Sequence, residues 1–174
     1  MNNFAARRDK YERFLHDCLE RAKPDILIWG PGPHDARGYQ KRDCIRKAIQ
    51  GVVRNGDVVF PEDPEIQKLT SEVLGSEDVD DIELLQARNA DIIIALDISA
   101  AVGEELARYS AYPSVVSKLF VVTIDGNKSG YQKAIRNKDF VRVLEAGEMA
   151  SCDKPIGLCI KHVRLWCLQK CLRE

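Results

Sequence analysis

Three carboxylates carry the chemistry open to this sequence. They lie in one stretch, NADIIIALDISAAVGEELARYS, from Asn89 to Ser110. Asp97 ends an apolar run, Ile92 to Leu96. Glu104 and Glu105 follow in a segment that reads as a helix from about Ala101 to Tyr109, with Ser99 as its N-cap. At about 100° per residue, Val102, Leu106 and Tyr109 share one face. Glu105 borders that face and Glu104 points nearly opposite. A carboxylate fixed at the edge of a buried face, near a helix N-terminus, is partly desolvated, and such settings tune acids for catalysis. Acids are also common in a first helical turn for the dipole alone, so position is what distinguishes Glu105.

Positioning these groups requires a strand before them and a sheet around it. Ile92 to Leu96 is short, β-branched and free of Gly and Pro, which predicts a buried strand of a parallel sheet. Ligands of open α/β sheets bind at the carboxyl ends of the strands, so Asp97, Ser99 and the first helical turn should face a pocket. Upstream, a helix over Asn3 to Ala22 leads to a strand, Asp25 to Trp29, and to the loop Gly30-Pro31-Gly32-Pro33. Its glycines let backbone approach a phosphate or ribose. Its prolines remove two donors, and it is not a G-x-G-x-x-G dinucleotide loop. Arg37 and Arg42 beyond it are candidates to meet an anionic phosphate, or members of a solvated loop.

The alternation continues through a helix from about Arg42 to Arg54, a strand Asp57 to Phe60, and the turn Pro61-Glu62-Asp63-Pro64 at the same sheet edge as Gly30. Helices over Glu65 to Leu74 and Val79 to Arg88 flank a Gly75–Asp78 loop that is a candidate lid. After the central unit come a strand Leu119 to Ile124, a polar Asp125–Gly130 turn and a helix Tyr131 to Leu144. A final strand Ile156 to Ile160 and a closing helix His162 to Leu172 complete the reading. Residues 1–174 are expected to form one α/β domain, a flavodoxin- or Rossmann-like parallel sheet of about five strands with helices on both faces.

Composition narrows the class. With 45% hydrophobic and 30% charged residues and a net charge of −1, the 174-residue chain has material for one core and no generic attraction to nucleic acid or membrane. No apolar run approaches the roughly 18 residues of a membrane span, and the N-terminus has no signal-peptide core. Six cysteines without a C-x-x-C pair are expected to be reduced thiols of a cytoplasmic protein. Cys167, Cys171 and His162 lack a known zinc spacing, so no metal is expected.

The Ala90-Asp91-Ile92-Ile93-Ile94 strand, Ser99, Val102-Gly103 and Glu105-Leu106 together resemble the nucleoside 2-deoxyribosyltransferase superfamily. Ala101 stands where that family's turn has its first Gly. With Phe60-Pro61-Glu62-Asp63 added, the pattern is similar to the deoxyribosyltransferase-like effector of bacterial retrons. Toll/interleukin-receptor-like NAD-cleaving domains share the general fold and a helix-borne Glu. The resemblance spans roughly Asp25 to Ile124. It implies that Glu105 is the nucleophile at the sugar C1′, and that the segment holding Glu62 and Asp63 lines the sugar pocket.

Cleaving a sugar–base bond passes through an oxocarbenium-like state that a carboxylate stabilises or captures. Asp97 is the candidate for protonating the base or orienting Glu105. Gly30, Pro31, Gly32, Asp63, Ser99 and Gly103 are the candidate substrate-binding residues. The expected activity is N-glycosidic cleavage of NAD, a nucleoside or a nucleotide, with NAD counted among the candidate substrates and no resident cofactor. The retron resemblance adds a defence role under a regulatory protein partner, and a homo-oligomer is a further expectation. Two other readings stand beside it: a deoxyribosyltransferase of nucleotide salvage, and a non-catalytic nucleotide-sensing or partner-binding module. The last would be favoured by Glu105 buried in an ion pair with Arg88 or Arg108 with no cavity reaching it.

Overall fold

A computed structural model describes residues 3–126 and 138–174. Five strands make one all-parallel sheet: β1 (Asp25–Trp29), β2 (Asp57–Val59), β3 (Ile92–Asp97), β4 (Leu119–Ile124) and β5 (Val141–Leu144). Their order is β2-β1-β3-β4-β5, the flavodoxin-like winding. Every residue of β3 is buried, as its unbroken apolar run requires of a strand covered on both faces.

The helices divide between the two faces by the period-two alternation of the strands. Ile26, Ile28, Ile92, Ile94 and Leu96 point to one side. There they pack on α1 (Asn3–Ala22), α2 (Ala36–Gln50) and α8 (Asp153–Cys171). Leu27, Trp29, Ile93 and Ala95 point to the other, against α4 (Val79–Asn89), α5 (Ala100–Tyr109) and α6 (Pro113–Val116). Two further helices, α3 (Pro64–Leu74) and α7 (Ala146–Ala150), complete the described elements. None of the described helices is long and apolar enough to cross a membrane.

The C-terminal third departs from the sequence expectation. Val141 to Leu144, assigned above to a helix, is edge strand β5, paired with β4 from Val121↔Val141 to Ile124↔Leu144. Four residues with the pattern buried, exposed, half-buried, buried are too short to fix a period, and pairing decided it. Conversely, Ile156 to Ile160 is helical. Pro155, Cys159, Val163 and Cys167 recur every four residues along the buried face of one 19-residue helix, α8. Pro155 lies in its first turn, where no amide donor is needed. The expected helix from Tyr131 and the turn from Asn127 lie, up to residue 137, outside the described residues.

Two glycines differ in what surrounds them. A Cβ on Gly56 would lie 2.5 Å from the Pro24 carbonyl oxygen, where the chain enters β2. A Cβ on Gly157, inside α8, meets nothing within 4 Å. Gly56→Ala should therefore cost about 1–3 kcal/mol, because backbone has to move. Gly157→Ala should add about 0.5–1 kcal/mol by removing backbone freedom from the unfolded chain. Urea unfolding of the two variants should show shifts of opposite sign.

Candidate functional site

The strand order reverses between β1 and β3, and open α/β sheets bind ligands at such a switch point, in a crevice outside the carboxyl ends of the strands. On the β3 side, Ser99 caps α5, its hydroxyl accepting from the Val102 N–H at 3.5 Å. Val102, Leu106 and Tyr109 are buried against the sheet, Glu105 is half-buried and Glu104 is exposed. The helical geometry read from the sequence is the geometry found.

On the β1 side the organising group is Arg42, a fully buried cation. It donates to the Ile28 carbonyl at 2.6 and 3.1 Å, to the Gly30 carbonyl at 3.4 Å, and to both oxygens of Glu62 at 2.5 and 2.9 Å. Its guanidinium also lies 3.9 Å from the centre of the Phe60 ring. Gly30 has to be glycine here, since a Cβ would stand 2.9 Å from the Arg42 Cδ and 3.4 Å from the Leu96 Cβ. Arg42 is therefore engaged by protein groups and is not the phosphate ligand entertained from the sequence. Arg46 repeats the arrangement further out, 3.8 Å from the same ring centre and paired with Asp63 at 3.0 Å.

Asp63, a candidate for the sugar, is thereby drawn into support. Its carboxylate accepts from Arg46 and, at 2.8 Å, from the Phe60 N–H. Glu62 keeps a side chain 35% exposed, and its charge acts on Glu105. Asp97 is wholly buried. The Thr123 hydroxyl lies 3.0 Å from its carbonyl and 3.2 Å from its Oδ2, fastening the end of β3 to β4. Of the loop candidates, Gly30, Gly32 and Ser99 are half-buried, while Pro31 and Gly103 are buried. Gly30, Ser99 and Glu105 sit around the switch point.

Burial raises the Glu105 carboxyl from its ordinary value of 4.5 to about 7, and the nearby Glu83 and Glu62 charges add to that. Arg42 and Arg108 oppose the rise. Among the described residues Glu105 makes no hydrogen bond or ion pair. Arg108 pairs instead with Asp80, and Arg88 lies over the Tyr112 ring at 5.4 Å. Glu83 was not foreseen from the sequence. It accepts from the Tyr109 hydroxyl at 2.7 Å, and Tyr109 stacks on Trp29 with ring centres 5.1 Å apart. Only the approach of α4 to α5 brings Glu83 to Glu105, and nothing in their local sequences announces it. Among the described residues, no group of three His, Cys, Asp or Glu side chains is placed to hold a metal ion.

The raised Glu105 value bears on stability. Folded Glu105 holds its proton up to about pH 7, whereas an unfolded Glu releases it near 4.5. Stability from this group is therefore fully present below about 4.5 and lost as pH rises to about 7. Glu105→Gln should unfold like the parent at pH 4 and be more stable at pH 8, by on the order of 2–3 kcal/mol. Urea titrations at both pH values check this.

No protein-family model matches the chain, and no curated protein matches it.

Proposed function

We propose that this chain cleaves N-glycosidic bonds, with Glu105 acting on the sugar C1′ of NAD or of a related nucleoside or nucleotide. The observation that carries the reading is Glu105 itself. It is a half-buried carboxylate at the switch point of the sheet, free of any ion pair among the described residues and shifted to about 7 by burial and two like charges. A carboxylate held that way gains most when positive charge appears beside it, and an oxocarbenium-like sugar supplies that charge only in the transition state. The ionised Glu105 then either shields the cation or bonds to C1′. Water subsequently releases the sugar.

The charge balance favours a substrate already cationic at the reacting end. Glu62, Glu83 and Glu105 face a single buried guanidinium that Glu62 occupies, and Arg108 is turned to Asp80. An N-glycosyl pyridinium such as the nicotinamide end of NAD fits this excess. Its ring departs neutral and needs no proton. A neutral nucleoside base needs one, and the protonated fraction of Glu105 near pH 7 is then the donor. The lack of an ion pair at Glu105 favours catalysis over the binding-module reading.

Release of free base from NAD and from a panel of deoxynucleosides tests the proposal. Glu105→Gln should lower the rate by about a thousandfold or more, and Glu104→Gln by about twofold at most. For a nucleophile, kcat/KM should rise with pH through about 7 and then level off, since only the ionised form acts. Glu83→Gln should move that rise to lower pH by removing a charge that lifts Glu105. A rate that falls through the same range would assign Glu105 as proton donor and turn the choice to nucleosides. Undiminished base release by Glu105→Gln would remove the glycosidase reading.

A further inference from the structure

A cavity of about 310 Å³ opens at the opposite end of the sheet, beneath α3 and α4 and beside the edge strand β2. Asp25 and Asp57, at its mouth, are the first residues of adjacent strands and lie in register. Its walls include Leu27, Val59, Ile66, Leu69, Val73 and Leu85. Leu69 and Val73 are 59% and 71% exposed, so apolar wall faces water instead of packing on protein. The volume is at the lower end of the range for small-molecule sites.

The polar atoms of this cavity are sorted by kind. Its side-chain donors are in part engaged within the protein. The Thr70 hydroxyl donates to the Ile66 carbonyl at 2.6 Å, and the Asn89 amide to the Leu85 carbonyl at 2.8 Å. The Gln86 amide nitrogen reaches the Pro61 carbonyl at 3.3 Å. That last bond fixes which end of the amide is which, because a carbonyl can only accept. Gln86 is only 8% exposed, and its Oε1 is left with no donor. That oxygen is itself shut off from solvent, so it belongs to the wall and not to the open face of the cavity.

The mouth carries surplus negative charge. Asp25 feels both Asp91 and Asp57, and burial and these like charges hold its carboxyl above the ordinary range. Asp91 is already engaged through Oδ2 by the Asp25 N–H at 3.1 Å. The nearby cation is Lys170, whose Nζ donates to the Ala22 carbonyl at 2.9 Å. Negative charge thus stands above apolar walls, and an anion meets like charge at the mouth.

We propose that this cavity is a second binding site, separate from the Glu105 crevice, for a small organic cation with a flat apolar body. The body covers Leu69 and Val73, and the cationic nitrogen lies between Asp25 and Asp57. The proposal does not depend on glycosidase activity.

Three probes of one shape separate the contributions: tryptamine, tryptophol and indole-3-acetate, which carry an ammonium, a hydroxyl and a carboxylate on the same indole. Binding to the full chain is followed by titration in backbone amide NMR. Tryptamine should shift amides of α3, α4 and the start of β1, and bind about tenfold more tightly than tryptophol, the combined effect of two rim carboxylates. Indole-3-acetate should bind more weakly still. Asp57→Asn should weaken tryptamine, and Leu85→Trp, which fills the cavity, should abolish its binding. Because Leu85 is half-buried, the amide spectrum of each variant is first required to retain the dispersion of the parent. Glu105→Gln should bind tryptamine as the parent does. Equal affinity for the three probes, no tryptamine binding, or tryptamine shifts that survive Leu85→Trp in a folded variant would each overturn the proposal. Shifts lost in Glu105→Gln would do the same, by placing the probe in the other crevice.

Discussion

The buried guanidinium of Arg42 is the constraint on which the carboxyl end of this sheet depends. The last turn of a parallel strand leaves carbonyls without sheet partners, and those of Ile28 and Gly30 are satisfied by this one side chain. The same fork holds Glu62 with two bonds and rests on Phe60. Strand β1, the Gly30 loop, helix α2 and the turn after β2 are therefore joined through one planar group. Taking a charge out of water costs several kcal/mol, and its partners roughly repay that. The gain lies in position. With five donors in fixed directions, a guanidinium leaves its acceptors little freedom to rearrange.

Glu105 is held by the opposite means. No donor among the described residues orients it. It is confined by the packing of Val102, Leu106 and Tyr109 beneath it and destabilised as an anion by burial, Glu83 and Glu62. A fold that keeps such a group forgoes stability near neutral pH. The Tyr109 hydroxyl holds Glu83 in place, so the like charge is a fixed feature of the crevice and not a mobile surface acid.

The two ends of the sheet differ in their polar economy. At the carboxyl end, a buried cation and three acids act on one another across the switch point. At the amino end, apolar walls stand under two exposed aspartates whose strands begin side by side. The parallel winding produces both. It brings all strand carboxyl ends to one edge, and it leaves the short strand β2 at the margin, where α3 and α4 cover it incompletely.

The sequence by itself determined the central unit. The unbroken apolar run of β3 could only be a strand covered on both faces, Ser99 marked the start of α5, and the 100° rotation separated Glu105 from Glu104. These are local regularities, set by periods that a short stretch contains. Other assignments needed contacts distant in the chain. Val141 to Leu144 became a strand because β4 had an edge to pair. Ile156 to Ile160 became helix because the four-residue repeat continues past it against α1 and α2. Arg42, read as an open candidate for phosphate, was turned inward by Glu62, 20 residues away, and Asp63 was taken up by Arg46. Glu83 reached Glu105 only through the packing of α4 beside α5. A charge's role depends on what faces it, and in a wound α/β sheet the facing groups come from other loops and helices, so tertiary structure decided the electrostatics that the sequence could only nominate.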